Sequence, residues 1–139
     1  MTGYLLDTNV VSELSNDVPN PGVISFLIEH DDLWLASVVV HELEYGLQPL
    51  PEGQRRNRLY ASHEDILTRY DDRILPLDRP AAESAALLRA EARCSGRTLD
   101  LGDALIAGIA KANGLTIATR NVRDFDGLDI EIVNPWEAE

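Results

Sequence analysis

The chain alternates short apolar runs with segments of helical character, and this alternation constrains its fold more than any other feature. Apolar runs of strand length begin at Tyr4, Leu33, Ile74 and Thr116, and a further short run covers residues 130–133. Strands that alternate with helices are typical of βαβ units, which form a parallel sheet with helices on both faces. We therefore predict an α/β fold with three α/β/α layers and a central, mainly parallel sheet of four or five strands.

The same pattern sets approximate bounds for each element. The predicted strands cover residues 4–6, 33–36, 74–77, 116–118 and 130–133, and the predicted helices cover residues 9–14, 21–29, 38–47, 54–70, 80–94 and 101–113. Ser37 is predicted to cap its helix, because a serine hydroxyl accepts a hydrogen bond from a free N–H of the first turn. Gly114 is predicted to end the last helix as the residue just beyond its C-terminus.

Length and composition favour a single domain covering residues 1–139. The one cysteine, Cys94, cannot form an internal disulfide, and no apolar run approaches the roughly 20 residues of a membrane-spanning helix. The first residues lack the basic and apolar regions of a secretory signal. We therefore expect a cytoplasmic protein. Its net charge of −12 argues against broad nucleic-acid binding, which normally shows a basic surface.

Acidic residues recur where predicted strands end and helices begin. Asp7 directly follows the first strand, and Glu42 lies in the helix after the second. Asp103 lies near the start of the last helix, and Asp124 follows the fourth strand. Considered singly, each has an ordinary explanation as a turn residue, a helix cap or a solvated acid. Considered together, they fall at the edge where parallel sheets bind ligands.

Carboxylates that converge at one edge require a counter-cation, because like charges a few ångströms apart do not all stay ionised. Oxygen ligands suit Mg²⁺ or Mn²⁺. The three histidines and Cys94 show no zinc spacing. Divalent ions in an acidic cluster polarise a phosphoryl oxygen and activate water. The four acids therefore predict a metal site suited to phosphodiester hydrolysis.

The last predicted helix has features that would fix the position of Asp103. Leu105, Ile106 and Ile109 form an apolar face, and Gly108 occupies the middle of the helix. A glycine there costs about 1 kcal/mol relative to alanine, and close packing is one reason to accept that cost. We therefore expect this helix to lie close against the sheet.

Several motifs resemble those of the PIN-domain ribonucleases, in particular VapC-type toxins of the FitB-like branch. The matching segments are LLDTNVVSEL (residues 5–14), ASVVVHELEYG (36–46), DALIAGIAKANGLTIATRNVRDF (103–125) and NPW (134–136). They extend from near the first residue to near the last. The resemblance implies a PIN-like α/β/α fold and a metal-dependent endoribonuclease that acts as the toxin of a toxin–antitoxin pair.

The resemblance also implies roles for individual residues. The implied catalytic residues, which would also bind the metal, are Asp7, Glu42, Asp103 and Asp124. The implied cofactor is Mg²⁺ or Mn²⁺. The supporting polar residues are Thr8, Asn9 and Asn121. Expected partners are a VapB-like antitoxin, an RNA substrate and a second copy of the chain. Operator DNA is expected to bind only through the antitoxin, and no membrane partner is expected.

Arginine clusters could offset the acidic charge locally. They comprise Arg55, Arg56 and Arg58, then Arg89, Arg93 and Arg97 at i, i+4 spacing, and finally Arg120 and Arg123. Solvated surface is the simpler explanation for the first two groups. Arg120 lies next to the predicted site, and its guanidinium suits a phosphate of RNA. Trp34 and Trp136 are interpreted as core or interface residues.

Two other functions share parts of this pattern. A phosphatase of the haloacid dehalogenase type also begins with an apolar strand and an aspartate, but it needs a second acid where this chain has Asn9. A PIN-like module that binds RNA or a partner with little or no cleavage remains the alternative. The complete set of acids favours the enzyme.

Overall fold

A five-stranded parallel sheet flanked by helices forms the centre of the protein. The computed structural model describes residues 3–137. The strands are β1 (Tyr4–Leu6), β2 (Leu33–Ala36), β3 (Ile74–Leu75), β4 (Thr116–Ala118) and β5 (Ile132–Val133). Their order is β3-β2-β1-β4-β5, and every neighbouring pair is parallel. This arrangement confirms the predicted α/β/α architecture.

Within residues 3–137, six α-helices connect or follow the strands. They are α1 (Thr8–Glu13), α2 (Pro21–Glu29), α3 (Ser37–Leu47), α4 (Gln54–Arg69), α5 (Arg79–Cys94) and α6 (Leu101–Ala112). Short 3₁₀ helices cover Asp71–Arg73 and Val122–Phe125. The bounds agree with the predicted ones to within two residues. The third strand is shorter than predicted, because Pro76 has no N–H to continue the ladder. Among residues 3–137, no helix has the length and apolar character needed to cross a membrane.

The helix ends show which capping predictions hold. The predicted cap at Ser37 is wrong: β2 runs directly into α3, so Ser37 is already helical and Ala36 occupies the cap position without a side-chain bond. Asp100 caps α6 by accepting a hydrogen bond from the Gly102 N–H at 3.1 Å. The prediction for Gly114 is confirmed, since it has a φ of +65° just beyond α6.

The strand order reverses between β1 and β4, and this switch point positions the candidate site. β1 pairs with β2 on one side and with β4 on the other. In the β1–β4 pair, Leu6 is opposite Ala118, so Asp7 and Thr119 leave their strands side by side. The Asp7 N–H donates to the Ala118 carbonyl at 2.9 Å. Ligands bind outside the carboxyl ends of strands at such a point.

Helix α6 packs tightly, but at Gly108 its close neighbour is α5 rather than the sheet. A Cβ placed on Gly108 would lie 2.4 Å from the Ala81 carbonyl oxygen and 2.6 Å from the Ala85 Cβ. Both alanines are buried in α5. The small residues of the two helices allow their backbones to approach, which explains the glycine, while other buried residues of α6 pack in the same core as β4.

Replacing Gly108 with alanine is therefore expected to destabilise the fold by about 1–3 kcal/mol, although alanine is the better helix former. The added methyl group would meet backbone atoms of α5, which cannot rotate away. Gly46 of α3 is the matched control, because a Cβ there would meet no atom within 4 Å. Gly46→Ala is expected to stabilise by up to about 1 kcal/mol. Urea unfolding measures both changes, and stabilisation by both would contradict the packing argument.

Candidate active site

An open cavity of about 550 Å³ lies at the carboxyl ends of β1 and β4. The residues that line it are Asp7, Thr8, Asn9, Ser12, Glu13, Asn16, Glu42, Asp103, Arg120, Asn121 and Trp136. They come from the β1–α1 junction, from α3 and α6, and from the segments after β4 and β5. The structure therefore brings three of the four predicted acids, Asp7, Glu42 and Asp103, to one cavity.

Asp7 is the most enclosed of these acids, with only 4% of its surface exposed. One carboxylate oxygen accepts a hydrogen bond from the Thr8 N–H at 2.8 Å, which also caps α1. The other accepts from the Thr119 hydroxyl at 2.7 Å and, more weakly, from the Asn9 amide at 3.4 Å. The carboxylate therefore has a fixed orientation in addition to its role as a helix cap.

Burial raises the pKa of Asp7 above its ordinary value, because it removes the carboxylate from water. The nearby charges of Glu42 and Asp124 raise this pKa further. The hydrogen bonds from Thr119 and Thr8 act in the opposite direction, since they stabilise the ionised form. Asp7 is thus a buried acid with a raised pKa whose ionised form its two threonine neighbours stabilise.

Glu42 is half-buried and lies against the first turn of α6. The Thr8 hydroxyl donates to one of its carboxylate oxygens, which joins α3 to the start of α1. A Cβ placed on Gly102 would lie 2.8 Å from the other oxygen, so a side chain there would displace the Glu42 carboxylate from this position. The positive end of the α6 dipole favours a carboxylate here.

Asp103, also half-buried, lies in the first turn of α6. Burial, followed by the charge of Asp7 and then those of Asp124, Asp100 and Glu42, raises the pKa of Asp103 to about 7. These charges act on one another because α6 starts beside the carboxyl ends of the strands. A site of this kind gains stability from any cation that binds between the acids.

Asp124 does not line the cavity, in contrast to the other three predicted acids. It lies exposed in the 3₁₀ helix Val122–Phe125, beside the fully buried Phe125. Its charge still raises the pKa values of Asp7 and Asp103. The structure therefore places Asp124 outside the cavity lining but within electrostatic reach of the site.

Thr119 is a site residue that the sequence alone did not reveal. It is fully buried, and its hydroxyl donates to Asp7. The same oxygen accepts hydrogen bonds from the Asn121 N–H at 3.0 Å and the Asn9 amide at 3.2 Å. Thr119 follows β4 as Asp7 follows β1, so knowledge of the β1–β4 register would have identified it.

Arg120 is the only basic residue among those that line the cavity. Its backbone N–H donates to the Asn9 side chain at 3.2 Å, and its guanidinium lies 5.3 Å from the centre of the Trp136 ring. This distance is within the range of a cation–π interaction. Trp136 packs partly against the core, as predicted, and also forms part of the cavity wall.

The carboxylate oxygens that line the cavity are suitable ligands for a hard divalent cation. In the part of the chain that the structure describes, no ion pair neutralises the four predicted acids. Within those same residues, 3–137, no three Asp, Glu, His or Cys side chains are grouped closely enough to hold one ion together. Mg²⁺ is commonly held by one or two carboxylates and several waters, which this open cavity can accommodate. Asp7, Glu42 and Asp103 are the residues suited to that role.

The sheet order and the acid-lined cavity at its switch point define an α/β/α protein with a candidate metal centre. The PIN-domain model matches residues 4–131, and the chain belongs to this family. It is 37% identical over 139 residues to the VapC ribonuclease Y4jK of Sinorhizobium fredii, covering 96% of this chain and 97% of that one. It is 38% identical over 135 residues to the toxin FitB of Neisseria gonorrhoeae, covering 95% and 97%.

The fold comparison agrees with the sequence comparison. A solved structure of FitAB bound to a DNA fragment matches with a TM-score of 0.89 at 36% identity, covering 98% of this chain and 97% of that chain. These similarities confirm the predicted family and its resemblance to the VapC and FitB proteins.

Proposed function

We propose that this protein is a divalent-metal-dependent endoribonuclease and the toxin of a toxin–antitoxin pair. The observation that carries the proposal is that Asp7, Glu42 and Asp103 share one open cavity and none of them forms an ion pair within residues 3–137. The similarity to relatives named ribonuclease and toxin supports the reaction class and the biological role.

In this proposal the side chains of the site have separate roles in phosphodiester hydrolysis. Bound Mg²⁺ or Mn²⁺ supplies Lewis acidity and an activated water. Asp7, Glu42 and Asp103 would hold the ion directly or through water, and Asp124 would add negative potential from outside the cavity lining. Thr119 holds the Asp7 carboxylate in place and favours its ionised form.

Arg120 and Asn121 are the groups proposed to meet the substrate. Both line the cavity close to the acids. A guanidinium can form two hydrogen bonds to a phosphate, and its contact with Trp136 holds it at the cavity. In an otherwise acidic cavity, this single positive charge gives an RNA phosphate a favourable place to bind.

The proposed partners follow from the same relatives. A VapB-like antitoxin would bind the protein and silence it, a second copy would complete a homodimer, and operator DNA would bind through the antitoxin. The FitAB complex with DNA supports this assembly. Ile28 and Leu87 expose 76% and 65% of their surface, so apolar area is available for partner chains.

A growth test separates cleavage from simple binding. Expression of the chain without an antitoxin is expected to arrest growth, whereas Asp7→Asn is expected to abolish the arrest, because asparagine keeps the shape but removes the charge. Asp72→Asn is the control, since Asp72 is exposed and does not line the cavity. Arrest by the Asp7 variant at the same expression level would favour the binding module.

A smaller loss of metal affinity or activity is expected when the hydrogen bond from Thr119 to Asp7 is removed. Thr119→Val keeps the volume of the side chain but removes the hydroxyl that donates to Asp7. Loss of such a supporting bond typically costs about 10–100-fold in metal affinity or activity. Thr119→Ser should retain most of the activity, because it keeps the hydroxyl. Cleavage rates measured over a range of Mg²⁺ concentrations separate the two variants, and equal rates with an equal metal requirement would show that the hydroxyl has no role.

A further inference from the structure

A second cavity, of about 470 Å³, lies at the C-terminal end of α5, and arginines dominate its lining. The residues around it are Arg89, Ala90, Arg93, Arg97, Thr98 and Leu99. We call this surface the arginine groove. It contains three positive charges and no acid in its lining, on a protein whose net charge is −12.

A turn after α5, rather than the helix itself, brings the third arginine into the groove. The helix ends at Cys94, so i, i+4 spacing explains the alignment of Arg89 with Arg93 but not the position of Arg97. Gly96 has a φ of +78° and donates its N–H to the Arg93 carbonyl at 3.0 Å. The Arg97 N–H then returns to the Ala92 carbonyl at 2.9 Å. This Schellman turn places Arg97 beside the last turn of α5.

Within residues 3–137, no arginine of the groove has an acid close enough to form an ion pair. The ion pairs there involve Arg69, Arg73, Arg79 and Lys111, and none involves an arginine of the groove. Arg89 and Arg93 are exposed. The other basic cluster differs, because Arg56 shares its cavity with Glu44 and Glu52. The arginine groove is therefore the better site for an external anion.

Hydrogen bonds connect the groove to the segment that borders the active-site cavity. The Arg97 guanidinium donates to the carbonyls of Arg123 and Asp124 at 3.2 and 3.1 Å. The same segment, residues 120–124, carries Arg120 and Asn121 to the active-site cavity. A flexible polyanion bound at Arg120 can therefore continue across this segment toward Arg93.

We propose that the arginine groove binds backbone phosphates of a single-stranded RNA, next to the part of the strand held in the active site. The proposal rests on the proposed ribonuclease function. Guanidinium groups match the charge and geometry of phosphates, and spaced phosphates suit arginines that are spaced along a helix end. Single-stranded RNA has the flexibility to reach both places, and it is the usual target of specific recognition.

Binding of a labelled single-stranded oligoribonucleotide to the full-length protein tests the groove. Asp103→Asn is introduced into every sample so that the RNA stays intact. Adding Arg89→Ala and Arg93→Ala is expected to weaken RNA binding about tenfold. The salt slope, which is the slope of the logarithm of the binding constant against the logarithm of the salt concentration, is expected to fall in magnitude by about 0.7 for each phosphate that the protein no longer neutralises. The control is Arg69→Ala with Arg79→Ala, which removes the same charge from arginines already paired with acids. Equal affinity and salt slope in the two double variants would overturn the proposal.

Cleavage kinetics with Asp103 restored distinguish this proposal from the proposed function. The Arg89 and Arg93 double variant is expected to raise KM about tenfold over the control with little change in kcat, because the arginines bind RNA away from the reacting phosphate. A KM equal to that of the control would also contradict the proposal that the arginine groove binds RNA. Failure of the unmodified protein to cleave any RNA would refute the ribonuclease function, while the binding comparison would still test the groove.

Discussion

Replacing Asp103 with asparagine is expected to lower RNA cleavage by about 10³-fold or more, because loss of metal-assisted stabilisation is worth several kcal/mol. Asparagine has the same shape but lacks the charge that would attract a divalent ion. The variant should still fold, since Asp103 lies at the start of α6 and Asp100, not Asp103, caps the helix. Cleavage of a labelled RNA at saturating metal measures the loss, with Asp72→Asn as the control.

The same variant is expected to be more stable than the unmodified protein in the absence of metal. Burial, Asp7 and the other nearby acids raise the pKa of Asp103 from 3.8 to about 7 in the folded state. The folded protein then holds a proton on Asp103 that the unfolded chain releases, so stability falls as the pH rises from about 4 to about 7. Asparagine removes this penalty at neutral pH.

Thermal unfolding in the presence of chelator checks this second effect. The Tm of the Asp103→Asn variant should exceed that of the unmodified protein near pH 8, and the difference should shrink as the pH falls towards about 4, where protonation of Asp103 in the unfolded chain begins to match that in the folded state. An inactive variant with a lower Tm near pH 8 would show that the loss of cleavage came from damage to the fold and not from loss of the charge.

Removal of divalent metal is the second change with a large expected effect. EDTA should reduce cleavage by about 10³-fold or more, and excess Mg²⁺ or Mn²⁺ should restore it, since in the proposed mechanism the ion would supply both Lewis acidity and activated water. The fold should persist, because apolar side chains form the core around β1 and β4. EDTA already saturated with Mg²⁺ is the control. Undiminished cleavage after exhaustive chelation would contradict a metal-dependent mechanism.

The Mg²⁺ concentration needed for half-maximal cleavage should also rise as the pH falls. The raised pKa values of Asp7 and Asp103 mean that protons compete with the ion for these carboxylates. Below about pH 7, more Mg²⁺ should therefore be needed for half-maximal cleavage than at higher pH. A metal requirement that stays constant between about pH 6 and pH 8 would argue against Asp103 as a ligand.

Sequence patterns predicted the fold and the convergence of three acids for a physical reason. In a parallel sheet all carboxyl ends lie at one edge, so residues that follow different strands meet there. Asp7 follows β1 directly, and α3 and α6 carry Glu42 and Asp103 to the same cavity. This argument needs the order of elements along the chain but no detailed geometry.

Features that depend on register or on tertiary packing could not be predicted in the same way. Thr119 contacts Asp7 because of the pairing between β1 and β4, which no local pattern specifies. Asp124 follows β4, but the local 3₁₀ helix leaves it outside the cavity lining. Gly108 meets α5 because two small-residue faces approach each other. Arg97 joins the arginine groove through a turn, not through helical spacing.

Titration calorimetry with Mn²⁺ tests the central claim, that a divalent ion binds in the cavity lined by Asp7, Glu42 and Asp103. The experiment compares the unmodified protein, Asp103→Asn and Asp72→Asn near pH 8, above the raised pKa of about 7 of Asp103. We expect the unmodified protein and the Asp72 variant to bind Mn²⁺ equally, and the Asp103 variant to lose at least about tenfold in affinity. Equal Mn²⁺ binding by all three proteins would contradict the assignment of this cavity as the metal centre.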